Sequence, residues 1–180
     1  MKRLWTAAAA VAMATMLSSA ALRAQDTKSD DKKFIESASL GSLAEINYAK
    51  LALQKSKDKN VREFAEKMIT DHEKLIAEMK PFAKKYDVKV SSSPKLADDA
   101  KYLELKTMSG TTFDRAYVEA MVKDHHDDLE AFQKEAKTTA DPSLKEAVEK
   151  GEKVILQHTE MIDNIAHMGG IQTPPIPSGV

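Results

Sequence analysis

Glu45, His72, His125 and His158 stand at positions where the surrounding pattern places leucine or isoleucine. If they converge, one carboxylate and three imidazoles make a ligand set for zinc, iron or another divalent first-row metal. Without a metal, the same residues would form a buried hydrogen-bonded cluster that fixes helix register. Met68 lies four residues before His72, Met121 four before His125, and Met161 three after His158, so each imidazole has a thioether on its own helical face. Thioether and imidazole together favour Cu(I), although methionines at helical spacing also serve as flexible core fillers. Met68, Met121 and Met161 are therefore the weaker ligand candidates.

Positioning these groups requires four long helices, because apolar residues recur at alternating spacings of three and four. The first segment carries Phe34, Ala38, Gly41, Glu45, Tyr48 and Ala52. The second carries Val61, Ala65, Met68, His72, Leu75, Met79, Phe82 and Tyr86. The third holds Val118, Met121 or Val122, His125, Leu129, Phe132 and Ala136, and the fourth Leu144, Ala147, Gly151, Val154, His158, Met161, Ile165 and Met168. Asn60 with Glu63 reads as a capping pair, Asp141 with Pro142 as an N-cap and first helical residue, and Gly169 with Gly170 as a stop. Pro81 should weaken the last turns of the second helix without abolishing them.

Heights along the helices follow from about 1.5 Å of rise per residue. Glu45 and His72 lie 13 and 14 residues either side of Asp58, which sets both about 20 Å from that turn. His125 and His158 lie 15 and 18 residues either side of Ala140, a difference of about 4 Å in height. All four are expected to meet near the helix midpoints. Asp71 and Asp124 each precede a histidine by one residue, point about a quarter-turn away and make poorer ligands. His126 and His167 are expected to face outward.

A short internal repeat surrounds two of the histidines. Phe64 to His72 reads F-A-E-K-M-I-T-D-H, and Tyr117 to His125 reads Y-V-E-A-M-V-K-D-H. Together with the Glu45 helix, F-D-R-A-Y at Phe113 to Tyr117, the Asp124-His125 pair and His158, these motifs make the run from Phe34 through Ile165 resemble the domain of unknown function 4142 family. That is a bacterial exported family placed with the ferritin-like bundles. The resemblance implies fold and export and brings no settled biochemical activity.

Lys2 and Arg3, the apolar run Leu4 to Leu17, and the small residues Ala20, Ala21 and Ala24 have the layout of a cleavable secretory signal. The expected cut follows Ala24, with Ala20 as the alternative. With no cysteine in the chain, there is no lipid-modified N-terminus, disulfide or thiolate metal site. A periplasmic or secreted protein follows, with no membrane span once the signal is removed. Without Lys2, Arg3 and Arg23, the 27 basic residues become 24 against 28 acidic ones, a net charge of −4. That balance points away from nucleic acid.

The organisation expected is an all-α four-helix bundle over residues 32–168, ferritin-like, after a signal at 1–24 and a flexible segment at 25–31. A disordered proline-rich tail is expected at 169–180. The long connection Asp87 to Gly110 is expected to serve as a crossover between helices two and three, with simple up-down-up-down as the alternative topology, and to hold a short helix opened by Ser93 and Pro94. No histidine has a glutamate three residues before it, so the chain departs from the di-iron Glu-x-x-His pattern. No catalytic triad, phosphate loop or dinucleotide fingerprint is present. The readings that remain are a metal-binding envelope protein and a non-catalytic structural or interaction module of the cell envelope.

Overall fold

The computed structural model describes residues 6–90 and 99–177, with side chains from residue 27 onward. All regular structure among the described residues is helical: α1 (Thr6–Lys55), α2 (Lys59–Lys85), α3 (Ala100–Thr107), α4 (Gly110–Thr138) and α5 (Pro142–Met168). The four long helices pack as neighbours around a shared core, α1 against α2 and α4, and α5 against α4 and α2. Short α3 leans on α4. No helix is long and apolar enough to cross a membrane among the described residues.

Local chemistry sets the helix ends. The N-cap of α2 is Asp58, whose carboxylate accepts from the Val61 amide at 3.0 Å. This displaces the expected Asn60 and Glu63 pair, because an aspartate two residues earlier already satisfies the first free amides. Asp141 caps α5 as expected, with Pro142 following it. Helix α2 continues through Pro81 to Lys85. It then closes with the Val88 amide on the Ala83 carbonyl and Asp87 at φ +53°. The end of α5 repeats that geometry, with the Ile171 amide on the Ala166 carbonyl and Gly170 at φ +69°. In both places the left-handed residue lets the chain turn back and satisfy otherwise free carbonyls.

Several expectations are corrected. Residues 25–31, expected as a lead-in to the bundle, lie within α1, where Asp31 is buried and accepts a hydrogen bond from the Tyr86 hydroxyl at 2.9 Å. The signal segment at 1–24 lies outside the described side chains. The short helix of the connection is opened by Asp99; Ser93 and Pro94 lie outside the described residues. The segment 171–177 has no regular structure, yet Ile171 is buried and Gln133 donates to the Pro177 carbonyl at 3.1 Å. In α5 the buried aliphatic row is Leu144, Val148, Ile155 and Ile162, one residue on from Ala147, Val154 and Met161, and Met168 is 67% exposed.

The two ends of the molecule are pinned by distinct contacts. At one, the Lys55 ammonium donates to the carbonyls of Lys106 and Met108 at 2.7 Å and lies over the Phe113 ring. At the other, Lys85 pairs with Asp141, and Tyr86 bonds both Asp31 and Asp141. Between these ends lie two apolar clusters, one built around Phe64, Phe113 and Tyr117 and the other around Leu75, Leu129 and Ile155.

Candidate metal centre

Each of the four long helices brings one polar group to the boundary between those clusters. Glu45 comes from α1, His72 from α2, His125 from α4 and His158 from α5, and all three imidazoles are fully buried. Each histidine offers one ring nitrogen lying within 4.8 Å of those of the other two. Ring centroids stand 5.3 Å apart for His72 and His158, 5.5 Å for His125 and His158, and 6.0 Å for His72 and His125. Oε2 of Glu45 is 3.2 Å from Nδ1 of His72, and Oε1 is 3.6 Å from Nδ1 of His125. The level heights read from the sequence thus place all four residues together.

The protons in this cluster follow from its outer partners. A neutral imidazole has one N–H and one lone pair. Nδ1 of His125 donates to the carbonyl of Met121, one turn earlier in α4, at 2.9 Å. Nε2 of His158 donates to Oδ2 of Asp71 at 3.2 Å. These bonds assign the tautomers. They leave Nε2 of His125 and Nδ1 of His158 as lone pairs, and the latter is buried with no partner. His72 has no hydrogen-bond partner at either nitrogen, and Glu45 has none at either oxygen. Their 3.2 Å approach is within ion-pair reach but off the line of a hydrogen bond.

Burial governs the charges. It pushes His72 well below the ordinary imidazole range, reinforced by His125 and His158, and lowers His125 to about 3. His158 is lowered by burial too, although its bond to Asp71 opposes the shift. Burial drives Glu45 well above the carboxylate range, with Asp128 and Asp124 adding repulsion. Burial thus favours the uncharged form of all four groups, the neutral imidazole and the protonated carboxyl.

Residues around the centre extend it. Burial raises Asp71, but hydrogen bonds from Lys67, His158 and Lys74 outweigh it and hold the carboxylate at about 2. Asp71 is thus an anion that orients an imidazole from outside. The sequence reading set it aside as turned away. A quarter-turn from His72, however, faces α5 rather than solvent. Asp124 and Asp128 lie on the opposite flank of His125 from His126. Burial raises them to about 6 and about 7. Among the methionines, Met68 brings its sulfur to 3.2 Å from Nε2 of His125. Met121 contributes its carbonyl, and Met161 is only half-buried. The Tyr117 hydroxyl, equivalent in the repeat to the edge of Phe64, is buried and unpartnered; burial and then Glu45 keep it protonated.

His126 corrects the sequence reading. It is buried rather than outward, with Nε2 bonded to both oxygens of Asp163 on α5 at 3.0 and 3.1 Å. An aspartate five residues beyond His158, on the helix packed against α4, was the available signal. His167 is exposed as expected, and its Nε2 shares a hydrogen bond with the Thr173 hydroxyl at 2.9 Å.

Comparison with protein-family models matches residues 16–165 to DUF4142, a domain of unknown function. The chain belongs to that family, as its motifs led one to expect. No curated protein and no solved structure matches it.

Proposed function

We propose that this DUF4142 protein is exported and holds one transition metal ion at the middle of a ferritin-like four-helix bundle, ligated by Glu45, His72, His125 and His158. The observation that carries this reading is the proton inventory of the cluster. His125 and His158 each commit their single N–H to an acceptor outside it, Met121 and Asp71, so their inward capacity is lone pairs alone. Orienting a ligating imidazole through its other nitrogen is what metal sites require. A purely structural polar cluster would instead pair its members, because an unsatisfied buried polar atom costs about 1–3 kcal/mol. Here both atoms of Glu45, both of His72 and one of His158 are left over.

The chemistry of the set suits zinc, iron or copper. Nitrogens ligating one tetrahedral ion stand about 3.3 Å apart, given metal–nitrogen bonds of about 2.0–2.1 Å. The 4.8 Å envelope of this cluster must therefore tighten on loading. A dication would also restore Glu45 to its carboxylate form, so uptake releases a proton. Three imidazoles and one carboxylate are not a di-iron oxidase set, which needs about four carboxylates. The protein acts as a binder or buffer of metal rather than an oxidase.

The bundle reading is supported by the end contacts. Lys55 at the end of α1 meets the start of α4, whereas the end of α2 meets the start of α5 through Lys85 and Asp141. Helices α2 and α4 then run in the same direction, and the connection holding α3 crosses the length of the molecule, as in ferritin-like topology. Export is supported by the basic start, apolar run and small residues before Gln25.

Elemental analysis of the protein purified from the exported fraction tests the proposal. Near-stoichiometric transition metal, removed by chelator and lost in His125→Leu, is expected. A chain that carries no metal and whose thermal stability ignores chelator would establish the structural module instead.

A further inference from the structure

The contact between His125 and Met68 carries the metal reading one step further. Sδ of Met68 lies 3.2 Å from Nε2 of His125, in a fully buried site. With the imidazole proton committed to the Met121 carbonyl at 2.9 Å, Nε2 presents a lone pair to a thioether that is itself only an acceptor. Moving the proton to Nε2 does not relieve the conflict. It turns the Nδ1 lone pair against the carbonyl at 2.9 Å and leaves Oε1 of Glu45 at 3.6 Å.

We propose that the site takes Cu(I), with the Met68 thioether joining His72, His125 and His158 as the fourth ligand and Glu45 left outside the coordination sphere. A soft monovalent ion accepts both lone pairs that now face each other, and thioether with imidazole is a donor set that selects Cu(I). A single positive charge needs no carboxylate counter-ion, so Glu45 is free to stay outside the coordination sphere. A harder dication such as Zn(II) uses the same imidazoles but takes Glu45 in place of Met68. One bundle centre thus has a soft face on α2 and a hard face on α1, and the ion bound decides which is used. This inference rests on the metal reading above.

The two faces are separable by mutation. Affinities for Cu(I), measured anaerobically against a chromophoric Cu(I) chelator, and for Zn(II), measured against a zinc chelator, are compared for the parent, Met68→Leu and Glu45→Gln. Met68→Leu should weaken Cu(I) at least about tenfold, the scale on which even outer partners of metal ligands act, and leave Zn(II) within about twofold. Glu45→Gln should do the reverse. Circular dichroism checks that both variants keep the parent's helix content, and Met68→Ile replaces Met68→Leu if the latter does not fold. Loss of both ions together in Met68→Leu, or unchanged Cu(I) affinity, would overturn the Cu(I) assignment while leaving a metal site standing. A parent that binds neither ion would overturn this inference and the metal reading together.

Discussion

Replacing Glu45 and His72 together by leucine should stabilise the protein whenever no metal is present. In the metal-free state these two residues supply four of the five unpartnered polar atoms of the centre, and their 3.2 Å approach is not a formed hydrogen bond. Apolar replacement of a buried polar pair by side chains of similar volume gains about 1–4 kcal/mol in favourable cases. At about 2–4 °C per kcal/mol for a domain of this size, the melting temperature of Glu45→Leu/His72→Leu in chelator should rise by about 2–16 °C. The single variant His72→Leu should gain less than the double variant, because both Glu45 oxygens stay buried with only His125 Nδ1 near, at 3.6 Å, and their unpartnered state still costs about 1–3 kcal/mol. With saturating metal the order changes, because an ion at about 1,000 times its dissociation constant stabilises the parent by about 4 kcal/mol and the double variant by nothing. Thermal unfolding of the three proteins, with chelator and with metal, reads all of this. A double variant less stable than the parent in chelator would refute the reasoning, since the cluster would then be a self-sufficient structural network.

Gly151→Ala should lower the melting temperature by about 2–4 °C, because the new Cβ would stand 2.5 Å from Cε1 of Phe132, itself fixed edge-on to Phe34 at 5.0 Å. That overpacking, about 1–3 kcal/mol, outweighs the roughly 1 kcal/mol alanine gains in a helix. Asp71→Asn should weaken metal binding by about 10–100-fold at unchanged helix content, checked by competition titration and circular dichroism, because Asp71 holds the His158 tautomer. Glu135→Gln should stabilise the protein above neutrality and matter little at pH 4, as urea unfolding at the two pH values would show. Burial, then Asp31, raises the Glu135 carboxyl to about 7. The folded state therefore holds a proton that the unfolded chain releases near pH 4.5, and stability is lost as pH rises between these values, by about 1 kcal/mol after solvent screening.

The three-four spacing made the helices legible, and distance from each turn made the level of Glu45, His72, His125 and His158 legible, because helical rise is nearly invariant. What failed was the angular detail. A residue one position from a seam histidine lies about 100° around the helix. With neighbours on two sides, that direction points into a second interface rather than into solvent. Asp71 meets His158 and His126 meets Asp163 for this reason. The α5 pattern held two rows of the same period, and only contact with α2 and α4 chose Val148 and Ile155 over Ala147 and Val154. Met68 was noted as lying on the face of His72, its own-helix neighbour, yet its sulfur reaches His125 across the core. Such cross-helix pairings depend on rotamers and neighbours that spacing along one helix does not encode.

The central claim is that the mid-bundle imidazoles hold a metal ion. Native mass spectrometry of chelator-stripped protein, reloaded from a series of first-row metal ions and compared with His125→Leu under the same conditions, tests it most directly. The account predicts one retained ion per chain in the parent and none in the variant, with both proteins equally helical. Equal retention by the two, or an ion-free parent across the series, would contradict it.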